Sequence, residues 1–153
     1  MVIQRWQSVL LLICVVLMGC FSFMSLGQIN VDSVYYDFMP WGIIPMGDNA
    51  AESVSVSTWY IFAISLLSAL LPLIAIFTFK NLKLQKRLCM LTVVALICVI
   101  LACAIIAYQA FSDADVDWSS MICAPFISLI SVAMAYQRIS ADQRTIRESE
   151  RLR

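Results

Sequence analysis

Four stretches of this chain, at about 7–27, 58–79, 88–111 and 118–137, run apolar without a single Asp, Glu, Lys or Arg. Each is about long enough for a helix rising 1.5 Å per residue to cross a hydrocarbon core of roughly 30 Å. They are continuous runs of Leu, Ile, Val, Ala and Phe, with none of the alternation a barrel strand needs. Only a helix satisfies every backbone group within one such segment. The pattern therefore predicts an all-α membrane protein with four transmembrane helices and a single domain over 1–153.

The segments between the runs complete the layout. The links at 80–87 and 112–117 are short, so helices two to three and three to four are expected as antiparallel hairpins in an up-down-up-down bundle. Small residues recur on single faces (Ser65, Ser68, Pro72 and Ala75; Cys103, Ala107 and Ala110; Ala124, Ser128, Ser131 and Ala135), which lets helix backbones approach. Pro72 and Pro125 are expected to kink their helices.

The connection at 28–57 joins β-formers (Val34, Tyr35, Tyr36; Val54, Ser55, Val56) to turn formers at Pro40, Gly42, Pro45, Gly47, Asp48 and Asn49, the composition of a small strand pair or hairpin. Its stretch from Phe38 to Met46 is too apolar for a solvated loop and is expected to pack on the helix ends or the membrane surface. Beyond Gln137 the pattern stays helical, with neither Gly nor Pro and with Arg144 and Glu148 at neighbouring surface positions. Helix four is thus expected to extend as a cytoplasmic tail over 138–153.

Composition agrees: 62% of the 153 residues are hydrophobic, 13% are charged and mean hydropathy is +0.89, outside the range of soluble domains. Charge adds an orientation. Arg5, Lys80, Lys83, Lys86, Arg87, Arg138, Arg144, Arg147, Arg151 and Arg153 all fall in the N-terminal stub, the second connection or the tail. Asp32, Asp37, Asp48, Glu52, Asp113, Asp115 and Asp117 occupy the other two connections. By the positive-inside rule both termini are cytoplasmic and the acidic connections lie outside. Aromatic residues fall at the expected boundaries, Trp6 and Tyr136 inside and Trp59, Tyr60, Tyr108 and Trp118 outside. Leu17-Met18-Gly19-Cys20 has the look of a lipobox, but the chain continues apolar from Phe21 to Leu26, so an uncleaved anchor is expected rather than a lipidated Cys20.

Candidate chemistry is sparse. The chain has no His, which removes imidazole bases, Ser-His and Cys-His pairs and most zinc sites. The cysteines Cys14, Cys20, Cys89, Cys98, Cys103 and Cys123 all lie within the apolar runs, none in a Cys-x-x-Cys spacing. A soft copper(I) site from Cys20, Met24, Met121 and Cys123 is the one conceivable metal site, and a weak one. No ionisable group interrupts the spans, whereas ion-coupled transporters place one there. The run from Asp113 to Asp117 begins like a calcium loop, but Trp118 and Ala124 stand where Gly and Glu are needed, and Asp117 is read instead as a cap for helix four. Outer carboxylates such as Asp37 and Asp48 offer an enzyme nothing beyond residue type. No catalytic, cofactor-binding or metal-binding residue, no cofactor and no nucleic-acid partner is expected.

The opening Met1-Val2-Ile3-Gln4-Arg5-Trp6-Gln7-Ser8 before a Leu-rich span, and the tail Arg138-Ile139 with Asp142, Ile146-Arg147 and Arg151-Leu152-Arg153, resemble a family of Bacteroidetes inner-membrane proteins, domain of unknown function family 4293. The resemblance covers the whole layout. It implies a bacterial inner membrane and carries no established activity or site residues. The expected function is that of a non-enzymatic accessory or scaffold subunit of an inner-membrane assembly, contacting a membrane-protein partner through 28–57 or the tail. The alternative is a passive channel or carrier for an uncharged or lipid-like substrate, lined by Ser65, Ser68, Ser128 and Ser131. The charge asymmetry is directly testable: a fluorescent-protein fusion at Arg153 is expected to glow, and alkaline phosphatase fused after Met46 to be active, whereas the reverse result would invert the topology.

Overall fold

Each of the four apolar runs folds as a helix, which satisfies the backbone groups of the run within the segment itself. The computed structural model describes residues 2–31, 34–46, 58–78, 81–110 and 115–151. Helix α1 spans Val2–Phe23, α2 Trp59–Phe77, α3 Leu82–Ala110 and α4 Ala124–Arg151. All four are long and apolar enough to cross a membrane. Each packs against its neighbours in sequence, and α4 returns to α1, so the contacts close a ring.

The helix starts differ from the sequence reading in three places, the first being α1, which begins at Val2 rather than near Gln7 and ends at Phe23. Helix α3 begins at Leu82, which places Lys83, Lys86 and Arg87 in its first two turns rather than in a loop. Helix α4 begins at Ala124 rather than near 118, because Asp115–Trp118 is a strand and Ser120–Cys123 a 3₁₀ turn. The hydroxyl that caps this turn is that of Ser119, which accepts from the Met121 N–H at 3.5 Å; Asp117 caps nothing and lies in the strand. The later start also changes Pro125. In the first turn its missing N–H removes no intrahelical bond, so the expected kink loses its cause. Pro72 does lie inside α2.

A small antiparallel sheet caps one end of the helices. Its strands are β1 Gly27–Val31, β2 Val34–Met39, β3 Gly42–Met46 and β4 Asp115–Trp118, in the order β3-β2-β1-β4. The expected hairpin is present as β2 and β3, joined by the two-residue turn Pro40-Trp41. The residues Val54, Ser55 and Val56 lie outside the described residues. The sequence reading did not foresee β4: it pairs Trp118 with Gly27 and Val116 with Ile29, a partnership between segments on either side of two long helices. No local pattern announces such a pairing.

Leu26 is the pivot between α1 and the sheet. Its N–H donates to the Phe38 carbonyl at 2.8 Å, and its carbonyl accepts from the Ser119 N–H at 3.0 Å. The strand faces then sort themselves by pleat. Ile29, Tyr36, Phe38, Ile43 and Val116 share the face packed on the core, with Ile29 and Phe38 fully covered.

Glycine is required where β4 meets β1. A Cβ on Gly27 would stand 2.9 Å from the Asp117 carbonyl oxygen, a backbone atom that cannot swing aside. Replacing Gly27 with Val should therefore separate the two strands. Hydrogen exchange is the readout: amides of 27–30 and 115–118 are expected to lose protection while the centres of the four helices keep theirs, and unchanged protection of β4 would contradict the close approach.

Candidate interaction surfaces

At the sheet end, three aromatic rings fix the hairpin to the helices. Phe62 of α2 meets Phe23 of α1 edge-on at 5.9 Å and Trp41 of the β2–β3 turn edge-on at 6.0 Å. Thr58, just before α2, donates its hydroxyl to the Met39 carbonyl at 3.2 Å, and the Ser25 hydroxyl donates to the Asp37 carboxylate. The apolar segment from Phe38 to Met46 is thus anchored to the helix ends, as its composition required. The other sheet face points away from the helices. On it Tyr35 stands opposite Met46, and Ile44 opposite Asp37, followed by Gln28 and Asp117 across β1 and β4. Tyr35, Ile44 and Met46 are all exposed, so the face grades from apolar at the β3 edge to polar and acidic at β4.

The opposite end carries a buried polar cluster. Gln7 of α1, 2% exposed, donates its side-chain amide to the Asp142 carboxylate of α4. Gln85 of α3 is equally buried; its Oε1, the Ser140 Oγ and the Gln143 Nε2 have no partner among the described residues. The Lys86 ammonium sits 5.1 Å from the centre of the Tyr136 ring. These contacts revise the expected tail. Helix α4 does continue past Gln137, but Ile139 is fully buried and Asp142 is held by α1, so packing persists for more than a turn into the segment 138–153.

Between these ends the interior mixes large apolar side chains, Leu11, Met18, Phe21, Ile61 and Leu96 among them, with small polar ones. Ser65, Ser68, Ser128 and Ser131 are buried. Ser68 and Ser131 donate to carbonyls of their own helices, Ser65 bonds both the Phe62 carbonyl and the Ser22 hydroxyl of α1, and Ser128 lies beside the Cys14 thiol. A half-open apolar cavity of about 170 Å³ lies between α3 and the start of α4, walled by Phe21, Cys103, Ala107, Trp118, Ile122 and Phe126. It offers only dispersion contacts.

The copper(I) candidates lie on two segments, Cys20 on α1 and Met24 just past its end, Met121 and Cys123 on the 3₁₀ turn. Cys20 and Cys123 are exposed, on α1 and on the 3₁₀ turn, and Met24 is exposed past the end of α1. No three His, Cys, Asp or Glu residues converge among the described residues. Asp115 and Asp117 lie in an extended strand rather than a coiled calcium loop. Asp48 falls outside the described residues, and Asp37 is engaged by Ser25. What sequence reasoning missed is the pair Gln7 and Asp142: both polar residues sit at run ends, where solvation is the ordinary expectation, and only helix packing brings them together.

Against known proteins, the family model described as domain of unknown function (DUF4293) matches residues 3–152. No curated protein matches the chain. The buried pair supplies a stability test. Asp142→Ala leaves the Gln7 amide unpaired and is expected to cost about 1–3 kcal/mol, whereas Gln7→Leu with Asp142→Leu should recover much of it. Thermal unfolding of the detergent-solubilised protein measures both, and an Asp142→Ala variant as stable as the parent would show that the bond contributes nothing.

Proposed function

The chain belongs to the family of domain of unknown function 4293, and from that premise we propose that it is a non-enzymatic accessory or scaffold subunit of an assembly in the bacterial inner membrane. In this reading α1 to α4 cross the bilayer up-down-up-down, the sheet lies outside, and both termini and the charged end of α4 lie in the cytoplasm. The outward apolar flanks support insertion: Leu12, Val16, Leu67, Ile74, Phe77, Val94, Leu101 and Ile130 are all exposed, an extent of apolar surface that water does not tolerate on a monomer. The distribution of Lys and Arg supports the orientation.

The observation that carries the subunit reading is the contrast between interior and ends. Inside, three of the four serines that a hydrated path would need, Ser65, Ser68 and Ser131, are turned onto protein partners, which weighs against the passive channel or carrier; the Ser128 Oγ is buried without a partner among the described residues. At the ends, polar and apolar groups are presented outward on rigid elements: Tyr35, Ile44 and Met46 on the sheet, and the basic face of α4 with Arg138 and Arg144.

The test is copurification from native membranes in mild detergent, quantified against an untagged control. A membrane protein in fixed ratio is expected with the full chain and is expected to be lost on Arg138→Glu with Arg144→Glu, which keeps Asp142, or on Tyr35→Asp with Met46→Asp, while insertion is unchanged. Recovery of the chain alone, or only with further copies of itself, would overturn the subunit reading.

A further inference from the structure

Helix α3 starts with an electrostatic conflict. Lys83, Lys86 and Arg87 stand in its first two turns, beside the positive end of the helix dipole, and no acidic residue occupies the first turn. None of the three forms an ion pair among the described residues. They line one wall of an open groove of about 660 Å³, together with Met90 and Leu91; Tyr136 and Gln143 of α4 form the other wall. The spacing from Lys83 through Lys86 and Arg87 to Met90 is one helix face, and Tyr136 to Gln143 is another, two turns long.

We infer that this groove binds the headgroup of an anionic phospholipid of the cytoplasmic leaflet. The inference rests on the membrane placement proposed above. Charge is the first argument: three cations and no described carboxylate line the groove, since Asp142 is held by Gln7 and Glu148 borders a neighbouring groove with Arg144. Hydrogen bonding is the second. The Gln143 Nε2 is buried without a partner among the described residues, a donor suited to a phosphate oxygen. The contact of Lys86 with the Tyr136 ring brings its ammonium from one wall across to the other. Apolar surface is the third argument, and it separates a lipid from an acidic peptide. Met90 and Leu91 are 53% and 54% exposed one turn deeper along α3, where an acyl chain would continue from a headgroup and a peptide would meet hydrocarbon.

Purified full-length protein in neutral detergent, titrated with short-chain phosphatidylglycerol or phosphatidylcholine and read by native mass spectrometry, tests this without any partner protein. Phosphatidylglycerol is expected to bind about tenfold tighter or more, and Lys86→Gln or Arg87→Gln should each weaken it about fivefold, the usual worth of one cation at an anionic surface. Arg144→Gln, in the neighbouring groove, should leave the preference unchanged, and circular dichroism of each variant reports that the helices persist. Equal affinity for the two lipids overturns the proposal. So does an Arg144→Gln effect as large as that of Lys86→Gln, which would mean diffuse attraction, or displacement of the lipid by equimolar inorganic phosphate or an oligoglutamate peptide. An error in the membrane orientation is read separately by the reporter fusions, so the two ideas fail independently.

Discussion

When a helix is apolar all around, burial of apolar area cannot decide which face turns inward. That constraint shapes everything else in this molecule. Helix α2 shows the outcome: its buried positions include Ser65, Ser68, Ala69, Pro72 and Ala75, while Leu66, Leu67, Leu70, Ile74 and Phe77 face out. The ordering is the reverse of a soluble helix. Close approach of backbones and hydrogen bonds such as Ser22 to Ser65, 2.9 Å across α1 and α2, select the packed face in place of hydrophobic drive. Larger residues enter where small ones leave room, as Leu11, Met18 and Phe21 of α1 do.

Such packing tolerates helices sliding or splaying unless their ends are tied, and both ends are. At one end the sheet draws on the segments after α1 and before α4, so that β1 and β4 bind the two helices whose termini they extend. The aromatic contacts of Phe62 with Phe23 and Trp41 bring α2 into the same knot. At the other end the bond from Gln7 to Asp142 joins α1 to α4, and Lys86 on Tyr136 joins α3 to α4. Among the described residues the charged side chains are thus concentrated at the two ends, while the middle holds buried hydroxyls such as Ser22, Ser65 and Ser68.

The distribution of charge gives those ends different characters. The sheet's outward face ends in Asp117, while the start of α3 gathers three cations around a groove with an amide that has no partner among the described residues. Between these unlike ends the interior mixes large buried side chains such as Leu11, Met18 and Phe21 with small ones such as Ser65, Ser68 and Ala75. The flanks between the ends expose large apolar side chains on all four helices, which are long and apolar enough to cross a membrane.

The sequence by itself determined what depends on local composition. The four apolar runs, the short links between helices, the strand propensity near Tyr35 and Tyr36, the small-residue faces and the segregation of Lys and Arg from Asp and Glu are each legible within a window of one element. Tertiary structure decided what depends on distant partners. Asp115–Trp118 is a strand only because β1 offers an unpaired edge next to Gly27, and that pairing moves the start of α4 to Ala124 and removes Pro125 from the helix interior. The same holds for Gln7 with Asp142 and for the groove between Lys83 and Gln143: each side chain alone reads as a solvated residue at a membrane edge, and its role arises from which helix stands opposite. Helix–helix choice rests on many weak contacts between similar apolar surfaces, so no single stretch of sequence contains it.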